Sequence, residues 1–480
     1  MSKISALNKF FPTGEFQDVF ISGVTDDSRC VLPGYIFIAR MGVTCHGLEF
    51  ADEAIASGAI GILSDKPCSN NANFPYIYDK DLKAKTVPFL FEFYDLEQQD
   101  FIFFGVTGSN GKTSTTYLAH QLARKLKQNS CCIGTLGAIV NDELYQTKGN
   151  TTPGVCELFS ILAMVNTSNE TFVFLELSSH ALYQKRLEGL TFFQTILLNI
   201  QSDHLDYHKS LERYAQAKLM LLDIPCRYPT IINIDCKSIQ ANLDISQSDY
   251  EYSPFSSNSA TAIFYADISS DDSSASKIVL NYPTFTATLN SELFPKFNLL
   301  NLASAVALLH QYLDREMLED LQSDEIQLPP GRSQLIKSNN GNIFIDFAHD
   351  DTSMENILTE LQMDGLEIVL IFGCGGERDR SKRPKMMKVA NSFAFHTIFT
   401  SDNSRGELFS FILGDATEGQ IYPNMQVIED REEAIKTGLK KLKKGRLLVI
   451  LGKGHETFIE IDKRKIPFND YDCVMNNLSV

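Results

Sequence analysis

The stretch DFIFFGVTGSNGKTSTTYLAHQLARKLKQ, residues 100–128, places a glycine-rich loop between an apolar run and a helical pattern. The glycines come where a predicted strand meets a predicted helix, and backbone N–H groups at a helix N-terminus bind phosphate oxygens. Lys112 can span β- and γ-phosphates there, and the Thr113 hydroxyl can reach Mg²⁺. A plain glycine turn is the alternative, but Gly-Lys-Thr is uncommon at such a junction. The segment GVTGSNGKTST, residues 105–115, therefore predicts a loop that binds the phosphates of ATP.

The glycine spacing of this loop differs from that of the usual P-loop, which has four residues between its first glycine and the Gly-Lys pair. Here five residues separate Gly105 from Gly111, and two separate Gly108 from Gly111. This variant narrows the choice of family and leaves the phosphate prediction intact. The residues predicted to hold the nucleotide phosphates are Gly108, Ser109, Asn110, Gly111, Lys112, Thr113 and Ser114.

The composition excludes several classes of protein. A chain of 480 residues is expected to form about three domains. The net charge of −17 argues against a nucleic-acid-binding protein, because neutralising phosphates requires an excess of lysine and arginine. No segment approaches the ~18 apolar residues of a membrane span, and MSKISALNKFFPTGEF lacks a signal-peptide pattern. The ten cysteines show no CxxC spacing and are expected to be reduced. We therefore expect a cytoplasmic enzyme that neither binds nucleic acid nor inserts into a membrane.

Alternating strand-like and helix-like segments divide the chain into three blocks, which we predict as domains over residues 1–98, 99–329 and 330–480. The second block alternates FIFFGVTG, TFVFLELS, QTILLNI and YPTIINI with helical segments, which predicts a parallel sheet wrapped by helices. The strands predicted in the third block end in polar or glycine residues, where ligands bind in open α/β sheets. We expect the Ser- and Asp-rich segment 253–277 to interrupt the sheet as a surface excursion.

Two neighbouring predicted strands of the second block end in polar, ionisable side chains. Glu176 lies at the end of a buried-looking strand, where an unpaired acid is costly. It is either a carboxylate that caps the residues after it or a Mg²⁺ ligand. The next strand is followed by Asp203, His204, Asp206 and His208 within six residues. Two acids and two histidines in this place favour a metal or phosphate site over ordinary surface histidines.

Taken together, these segments resemble the Mur ligase family, the ATP-dependent ligases that build the peptide stem of peptidoglycan. The matching motifs occur in order along most of the chain: TGSNGKTST, NTTPG, LELSSH with QKR, NIQSDHLDYH, AQAK, FNLLN, PPGRS, DFAH, GCGGERDRSKRP, SDNSR and GKGHE. The resemblance implies an α/β fold with a smaller N-terminal domain, a central P-loop-type parallel sheet with helices on both faces, and a C-terminal Rossmann-like domain. The motifs are most similar to those of the ligase that extends UDP-N-acetylmuramoyl-L-alanyl-D-glutamate by a third residue.

The resemblance implies a nucleotide and metal site shared by the second and third blocks. The nucleotide contacts it implies outside the loop are Asn298, Asn301, Arg332 and Asp346. The side chains it implies at the metal, with two Mg²⁺ ions, are Thr113, Glu176, His204 and Lys218. Lys218 matches the lysine that is carbamylated in the family. Addition of CO₂ to a neutral amine gives an anion with the oxygen atoms that Mg²⁺ prefers, although composition alone favours an ordinary helix lysine. The catalytic residues implied are Lys112, Glu176, His204 and Lys218.

The resemblance also implies where the two remaining substrates bind. The nucleotide-sugar dipeptide would contact Ser28, Val43, Thr44, Cys45, Asn150, Thr151, Thr152, Ser178, Gln184 and Arg186. The incoming amino acid would contact Arg378, Asp402, Asn403, Ser404, Arg405, Gly452 and Glu456. Lysine-adding members do not keep an arginine at position 405, whereas that arginine would recognise the second carboxylate of meso-diaminopimelate. It would repel a lysine side chain. We therefore expect meso-diaminopimelate as the substrate, and a monomeric enzyme.

The chain departs from the family pattern at several positions. Phe347, Asp350 and Asp351 replace a tyrosine, a threonine and a proline, and Ser404 and Cys236 replace a proline and an acid. We expect the added carboxylates to weaken nucleotide binding if they face the phosphates.

Four alternatives remain on the sequence. A lysine-adding member of the family is disfavoured only by the arginine at position 405. The folyl-polyglutamate and D-Ala-D-Ala-adding ligases are disfavoured by SDNSR and DDSR. A non-catalytic paralogue that binds nucleotide or precursor would be expected to lose Lys112, Glu176 or Lys218, and all three are present. A P-loop NTPase that uses ATP for motion is disfavoured, because the other motifs would then occur together only by coincidence.

Overall fold

A computed structural model describes most of the chain. The described residues are 3–12, 20–42, 45–68, 74–140, 142–165, 170–201, 203, 205–243, 251–270, 276–321, 325–362 and 365–478. Within these ranges, no helix combines the length and apolar character needed to cross a bilayer.

The N-terminal part contains a small parallel sheet of four strands in the order β1-β2-β3-β4. A helix connects the second strand to the third, and a short apolar cluster around Phe37 and Ile62 fills the space beneath one face. The elements are α1 Lys3–Phe10, β1 Gly23–Thr25, β2 Tyr35–Ala39, α2 Ala51–Ala56, β3 Gly61–Ser64, β4 Tyr76–Tyr78 and α3 Leu82–Phe93.

The central part contains a sheet of eleven strands in the order β15-β14-β13-β12-β11-β10-β5-β9-β6-β7-β8. Its strands are β5 Phe101–Thr107, β6 Asn129–Gly134, β7 Gly137–Val140, β8 Glu143–Tyr145, β9 Thr171–Glu176, β10 Gln194–Leu197, β11 Thr230–Asn233, β12 Tyr252–Ser256, β13 Phe264–Ser270, β14 Ser276–Tyr282 and β15 Phe285–Ser291. Its helices are α4 Lys112–Lys125, α5 Val155–Leu162, α6 Ser179–Tyr183, α7 Leu205–His208, α8 Leu211–Leu219, α9 Lys237–Asn242, α10 Phe297–Leu309 and α11 Arg315–Glu319.

Helices cover both faces of the central sheet, as the alternating pattern predicts. Successive side chains of a strand point to opposite faces, and β5 shows this directly. Phe103 lies in one apolar core, together with α3 and α5, whereas Phe104 lies in a second core beneath α4 and α10. The strands from β6 through β13 in the sheet order are parallel, so their carboxyl ends meet at one edge.

The expectation for the Ser- and Asp-rich segment is wrong. Its described residues form β12, β13 and the start of β14, which continue the sheet to its β15 edge. The apolar residues of this segment alternate with polar ones in β13, so Phe264 and Ala266 are buried in the core beneath α10 while Asp267 faces outward. This is the pattern of a half-buried antiparallel ribbon.

The C-terminal part contains a sheet of six strands in the order β16-β17-β21-β18-β19-β20, in which only β16 is antiparallel. A separate hairpin pairs β22 with β23. The strands are β16 Gln334–Ile336, β17 Asn342–Asp346, β18 Glu367–Phe372, β19 His396–Phe399, β20 Met425–Val427, β21 Arg446–Leu451, β22 Phe458–Ile461 and β23 Arg464–Pro467. The helices are α12 Asp351–Gln362, α13 Lys382–Phe393, α14 Phe409–Thr417, α15 Arg431–Lys440 and α16 Asp470–Asn477. The α/β class, with helices on both faces of a largely parallel central sheet, thus agrees with the prediction.

Candidate active site

The glycine-rich loop lies between β5 and α4. Gly111 has φ 87°, which favours glycine, and a Cβ at this position would lie 2.5 Å from Oδ1 of Asn301. The loop is tied to the strand beside it, because the backbone N–H of Asn110 donates to Oδ1 of Asn199 at 2.9 Å. The hydroxyl of Ser109 also contacts the hydroxyl of Tyr214 at 2.9 Å. The backbone at the start of α4 is therefore held in one conformation, with its N–H groups at a site suited to phosphate.

Two lysine side chains converge on this loop. Nζ of Lys112 donates to the carbonyl oxygens of Gly108 and Ser109, at 2.7 and 3.0 Å. Nζ of Lys218, from α8, donates to the same Gly108 oxygen at 2.8 Å. Burial lowers the pKa of Lys218 well below its usual value, and repulsion from Lys112 lowers it further. Burial also lowers the pKa of Lys112. The lowered pKa favours the neutral amine of Lys218, which is the form that can react with CO₂.

Glu176, at the end of β9, is hydrogen-bonded to Thr113 at the start of the helix that follows this loop. Its side chain is 1% exposed and accepts hydrogen bonds from the Thr113 hydroxyl at 3.0 Å and from the Thr135 backbone at 2.8 Å. A Cβ at Gly134 would lie 1.9 Å from Oε1 of Glu176, so only glycine leaves room for the carboxylate. A carboxylate and a threonine hydroxyl beside a phosphate loop are oxygen ligands of the kind that Mg²⁺ takes.

Of the acids and histidines that follow β10, the side chains of Asp203 and His208 are described, and they have different partners. Asp203 forms an ion pair with Lys382, with 2.9 Å between Oδ1 and Nζ. His208 is buried, and its Nε2 lies 3.0 Å from the hydroxyl of Ser179. His204 and the side chain of Asp206 lie outside the described residues. Among the described residues, no three His, Cys, Asp or Glu side chains are arranged to hold a metal ion.

The residues predicted to contact the nucleotide come from α10 and from the start of the C-terminal part. Asn301 donates to Oδ1 of Asn298 at 3.0 Å, and this pair lies against the loop at Gly111. Arg332 is half-buried, and its guanidinium carbon lies 4.4 Å from the centre of the Phe347 ring. Its Nε atom is buried and has no hydrogen-bond partner among the described atoms. A buried donor without a partner is costly, so this position suits an anionic or polar ligand.

Asp346 and His455 complete this part of the site. Asp346 accepts from the backbone N–H groups of Ser333 and Ala348, at 2.6 and 2.8 Å. Burial raises the pKa of Asp346, although attraction to Arg332 opposes the rise. Burial lowers the pKa of His455 to about 3, so its imidazole is neutral at physiological pH. The contacts of Asp346 show it positioning the loop that carries Arg332.

A large cleft separates the N-terminal sheet from the central one. Its volume is about 1170 Å³. The lining includes the predicted substrate residues Ser28, Cys45, Asn150, Gln184 and Arg186, which come from distant parts of the chain. Val43 and Thr44, predicted for the same purpose, lie outside the described residues.

Hydrogen bonds connect this cleft to Glu176. Arg186 donates to the carbonyl of Thr152 at 2.8 Å, and the Thr152 hydroxyl donates to the carbonyl of Glu176 at 2.7 Å. The backbone N–H of Ser178 donates to the Thr152 hydroxyl at 2.9 Å. Thr151 lies 3.4 Å from the hydroxyl of Thr135, which itself donates to Glu176. A substrate extended along the cleft would therefore end beside the phosphate loop.

The residues predicted for the incoming amino acid lie at the carboxyl ends of β18, β19 and β21. Burial opposes ionisation of Asp402, yet attraction to Lys453 and Arg431 holds its pKa below the usual value. Gly452 has φ 114°, and a Cβ there would lie 2.6 Å from Oδ2 of Asp402. Asn403 donates to Oε2 of Glu456 at 2.8 Å.

Arginine side chains lie at the outer side of this pocket. Nη1 of Arg405 donates to the carbonyl oxygens of Gly376 and Asn403, at 2.8 and 3.2 Å. Arg378 is close by, because a Cβ at Gly375 would lie 3.3 Å from Arg405 and 3.7 Å from Arg378. Ser404 is buried, and its carbonyl oxygen accepts a hydrogen bond from the backbone N–H of Glu407 at 2.9 Å. The pocket therefore offers both carboxylates and guanidinium groups, as recognition of an amino acid with more than one charge requires.

The departure at Asp350 has a local explanation. Asp350 is 7% exposed and accepts from the backbone and hydroxyl of Ser353, at 2.9 and 2.7 Å. This is the geometry of an N-cap for α12. The Ser353 hydroxyl also donates to Oδ1 of Asn110 in the phosphate loop, at 3.3 Å. The acid thus bonds to its own helix.

Several polar residues in or beside the site were not predicted from the sequence, among them Thr135, Lys382, Arg431, Lys453 and His455. Thr135 follows a strand and resembles any turn residue. Lys382 and Lys453 lie inside the quoted motifs GCGGERDRSKRP and GKGHE, so their place in a motif was the available signal. Arg431 begins an ordinary amphipathic helix and carries no signal of this kind.

Comparisons with known proteins agree with this geometry. Residues 106–309 match the family described as Mur ligase middle domain, and residues 331–454 match the one described as Mur ligase, glutamate ligase domain. A UDP-N-acetylmuramoyl-L-alanyl-D-glutamate–2,6-diaminopimelate ligase from Oceanobacillus iheyensis is 30% identical, over 98% of this chain and 97% of the relative. The ligase of the same name from Geobacillus kaustophilus is 34% identical, over 92% of each.

Solved structures show the same architecture. A structure of a UDP-N-acetylmuramoyl-L-alanyl-D-glutamate–2,6-diaminopimelate ligase has a TM-score of 0.66 and 29% identity, and the match covers 98% of both chains. The MurF ligase from Thermotoga maritima, in complex with ADP, has a TM-score of 0.60 over 95% of this chain and 96% of its own, at 17% identity. The second likeness shows the fold alone. The matches over both large parts of the chain establish that it belongs to the Mur ligase family of ATP-dependent ligases.

Proposed function

We propose that this ligase joins meso-diaminopimelate to the D-glutamate carboxyl group of UDP-N-acetylmuramoyl-L-alanyl-D-glutamate, at the expense of ATP. The observation that carries the proposal is the name shared by relatives that are 30–36% identical over most of the chain. The arrangement of the site supports it. A cleft large enough for a nucleotide-linked peptide runs from the N-terminal sheet toward Glu176, and a pocket with both charge types lies in the C-terminal part.

The proposed reaction has two steps. The D-glutamate carboxylate attacks the γ-phosphorus of ATP, the bond to ADP breaks, and an acyl phosphate forms. The amine of the amino acid then attacks the acyl carbon, phosphate leaves, and the amine loses a proton. Lys112 would hold the transferring phosphoryl group, and most of the catalysis would be positioning and electrostatics. Two Mg²⁺ ions, when bound, would neutralise charge on the phosphate oxygens.

The donors around Glu176 fit such ions. Glu176 and Thr113 supply oxygen atoms, and the proposal assigns His204 and a carbamylated Lys218 to the same ions. CO₂ would add to the neutral amine of Lys218 with loss of a proton, so a buried neutral group beside Lys112 becomes an anion. Two observations support this change: both lysine side chains donate to one carbonyl oxygen, and Lys218 is 1% exposed. A carbamate at Lys218 would place an anion beside Lys112, and the two groups would attract each other.

Selection of meso-diaminopimelate over lysine is assigned to Arg405. Its guanidinium group is held by the carbonyls of Gly376 and Asn403, so it is aimed in one direction. A second carboxylate on the amino acid would form a charge-assisted pair with it, whereas an ammonium group would be repelled. We further propose that the protein is cytoplasmic, because ATP and nucleotide-linked precursors are made there. The proposed enzyme is also a monomer, since one chain supplies every residue assigned to the site.

The experiment measures phosphate release by the purified protein with ATP, Mg²⁺ and the UDP-linked dipeptide, with meso-diaminopimelate or L-lysine added separately. Release that depends on meso-diaminopimelate supports the proposal. Release with lysine alone would retain the ligase and reject the assignment of Arg405. Release with neither, despite measurable ATP binding, would favour a paralogue that binds nucleotide or precursor without ligating.

A further inference from the structure

We propose that Arg431, held by Asp470, is a positioning residue for the amino-acid pocket: it joins the two loops that carry the pocket's carboxylates. This role rests on the proposed function, in which the pocket binds the incoming amino acid. Neither residue lines the pocket itself. Arg431 begins α15 and Asp470 begins α16, so the pair connects the pocket to the last helix of the described chain.

All three nitrogen atoms of the Arg431 guanidinium group donate hydrogen bonds. Its Nε and Nη2 donate to the two oxygens of Asp470, at 2.7 and 2.8 Å. Nη1 donates to the carbonyl of Ser401 at 3.3 Å, and Nη2 also donates to the carbonyl of Leu451 at 3.0 Å. Both side chains of the ion pair are 0% exposed. One guanidinium group therefore holds a carboxylate and two strand ends at once.

Those two strand ends lead directly into the pocket. Ser401 follows β19 and precedes Asp402 and Asn403, while Leu451 ends β21 and precedes the loop that contains Glu456. Because β19 and β21 are separated in the sheet by β18, no backbone hydrogen bond of the ladder joins them. Arg431 bridges that gap. It adds a connection behind the loops of Asp402 and Glu456, beside the direct hydrogen bond from Asn403 to Glu456.

The charge of Arg431 acts on the same loops. Asp402 and Glu456 lie within its electrostatic influence, and Lys453 is the second cation beneath them. Burying an arginine and an acid together commonly adds little stability compared with apolar residues of similar size. A fully buried pair at this place is therefore better explained by positioning than by stability. The planar fork of arginine, with five donors, also makes it difficult to replace by lysine.

The test replaces both members of the pair by apolar residues of similar size, Arg431→Met with Asp470→Leu, so that no charge is left buried alone. The matched control is Arg446→Met with Glu367→Leu. The side chains of that pair are 2.8 Å apart and lie at the amino ends of β21 and β18, whereas the pocket lies at the carboxyl ends. Steady-state phosphate release gives kcat and KM for each substrate, and thermal unfolding confirms that both proteins are folded at the assay temperature.

We expect the Arg431/Asp470 double variant to raise KM for the amino acid by about tenfold or more, since small misplacements of binding groups are costly. Its KM for ATP and that of the control for every substrate should stay within about twofold of the unchanged protein. Arg431→Lys should give an intermediate KM. A folded double variant whose KM for the amino acid stays within about twofold would overturn the inference, because the pair would then be merely structural.

Hydrogen exchange separates failure of this inference from failure of the proposed function. If the unchanged protein shows no amino-acid-dependent phosphate release, the proposed function fails. The positioning role is then judged by amide exchange in residues 401–406 and 452–456. Faster exchange there than in the Arg446/Glu367 control supports it, and equal exchange rejects it.

Discussion

Lys112 of α4 and Lys218 of α8 donate to the same carbonyl oxygen, that of Gly108, at 2.7 and 2.8 Å. Two ammonium groups so close together would repel each other strongly where water is scarce. Burial and this repulsion lower the pKa of Lys218 well below its usual value. The arrangement is unfavourable for two cations and favourable for one cation beside one anion, which is what carbamylation of Lys218 would create.

The first prediction concerns this pair. In buffer with ¹³C-labelled bicarbonate, the protein should show a carbamate carbon signal by NMR, and Lys218→Arg should lose it. Lys112→Met should weaken the signal, because removing the neighbouring cation raises the pKa of Lys218 and removes the attraction for the carbamate. A signal of full strength in Lys218→Arg would assign the carbamate to another residue.

The second prediction concerns amino-acid selection. Arg405→Ala should raise KM for meso-diaminopimelate by about 100-fold, as expected for loss of one partner of a desolvated charge pair. The control is Arg464→Ala, an exposed arginine on the hairpin whose Ile461 pairs with Arg405. The control should leave KM unchanged. Equal effects of the two variants on KM would show that Arg405 contributes only general positive charge.

The third prediction concerns closure of the C-terminal part over the phosphate loop. Lys382, at the start of α13, contacts Asp203 of the central part at 2.9 Å. Attraction to Asp203 raises the pKa of Lys382 even though burial opposes the charge. Lys382→Gln and Asp203→Asn should each lower kcat, and the double variant should cost little more than either single one, with a coupling of about 0.5–3 kcal/mol. Strictly additive losses would mean that the ion pair does not contribute to catalysis.

The fourth prediction separates the two roles considered for Asp350. As a helix cap, its replacement by alanine should lower the free energy of unfolding by about 1 kcal/mol, while Asp350→Asn, which retains the cap, should change it little. KM for ATP should be the same in both variants. A lower KM for ATP in both would show instead that the carboxylate repels the phosphates, the expectation drawn from the sequence.

The fifth prediction concerns stability at acid pH. Burial lowers the pKa of His120 to about 4, and its Nδ1 lies 2.7 Å from the hydroxyl of Ser130. The unfolded chain takes up a proton near 6.5, its usual pKa, whereas the folded one does not until near 4. Stability is therefore lost as the pH falls between these values, by about 2 kcal/mol at about pH 5. His120→Gln should show a smaller loss of unfolding free energy between about pH 7 and pH 5 in urea titrations.

The phosphate loop could be predicted from the sequence because its chemistry is local. A strand, a turn that requires glycine at Gly111, and a helix whose first residues are Lys112 and Thr113 are all specified within about one supersecondary unit. The alternation of strands and helices likewise predicts parallel sheets. The same local view was wrong for the Ser- and Asp-rich segment, whose alternating apolar residues are buried only because α10 lies beneath them.

The sequence by itself determined the glycine-rich loop between a strand and a helix, the α/β class and the family, since each rests on residues that are neighbours in the chain. Only the tertiary structure decided which distant groups meet. It brought Lys218 to the carbonyl of Gly108, turned Asp203 toward Lys382, buried His208 against Ser179, and placed the Arg431–Asp470 pair beneath the amino-acid pocket. The physical reason is that motif spacing fixes backbone geometry over a few residues. The partner of a buried charge is instead chosen by packing and by the cost of leaving that charge unpaired.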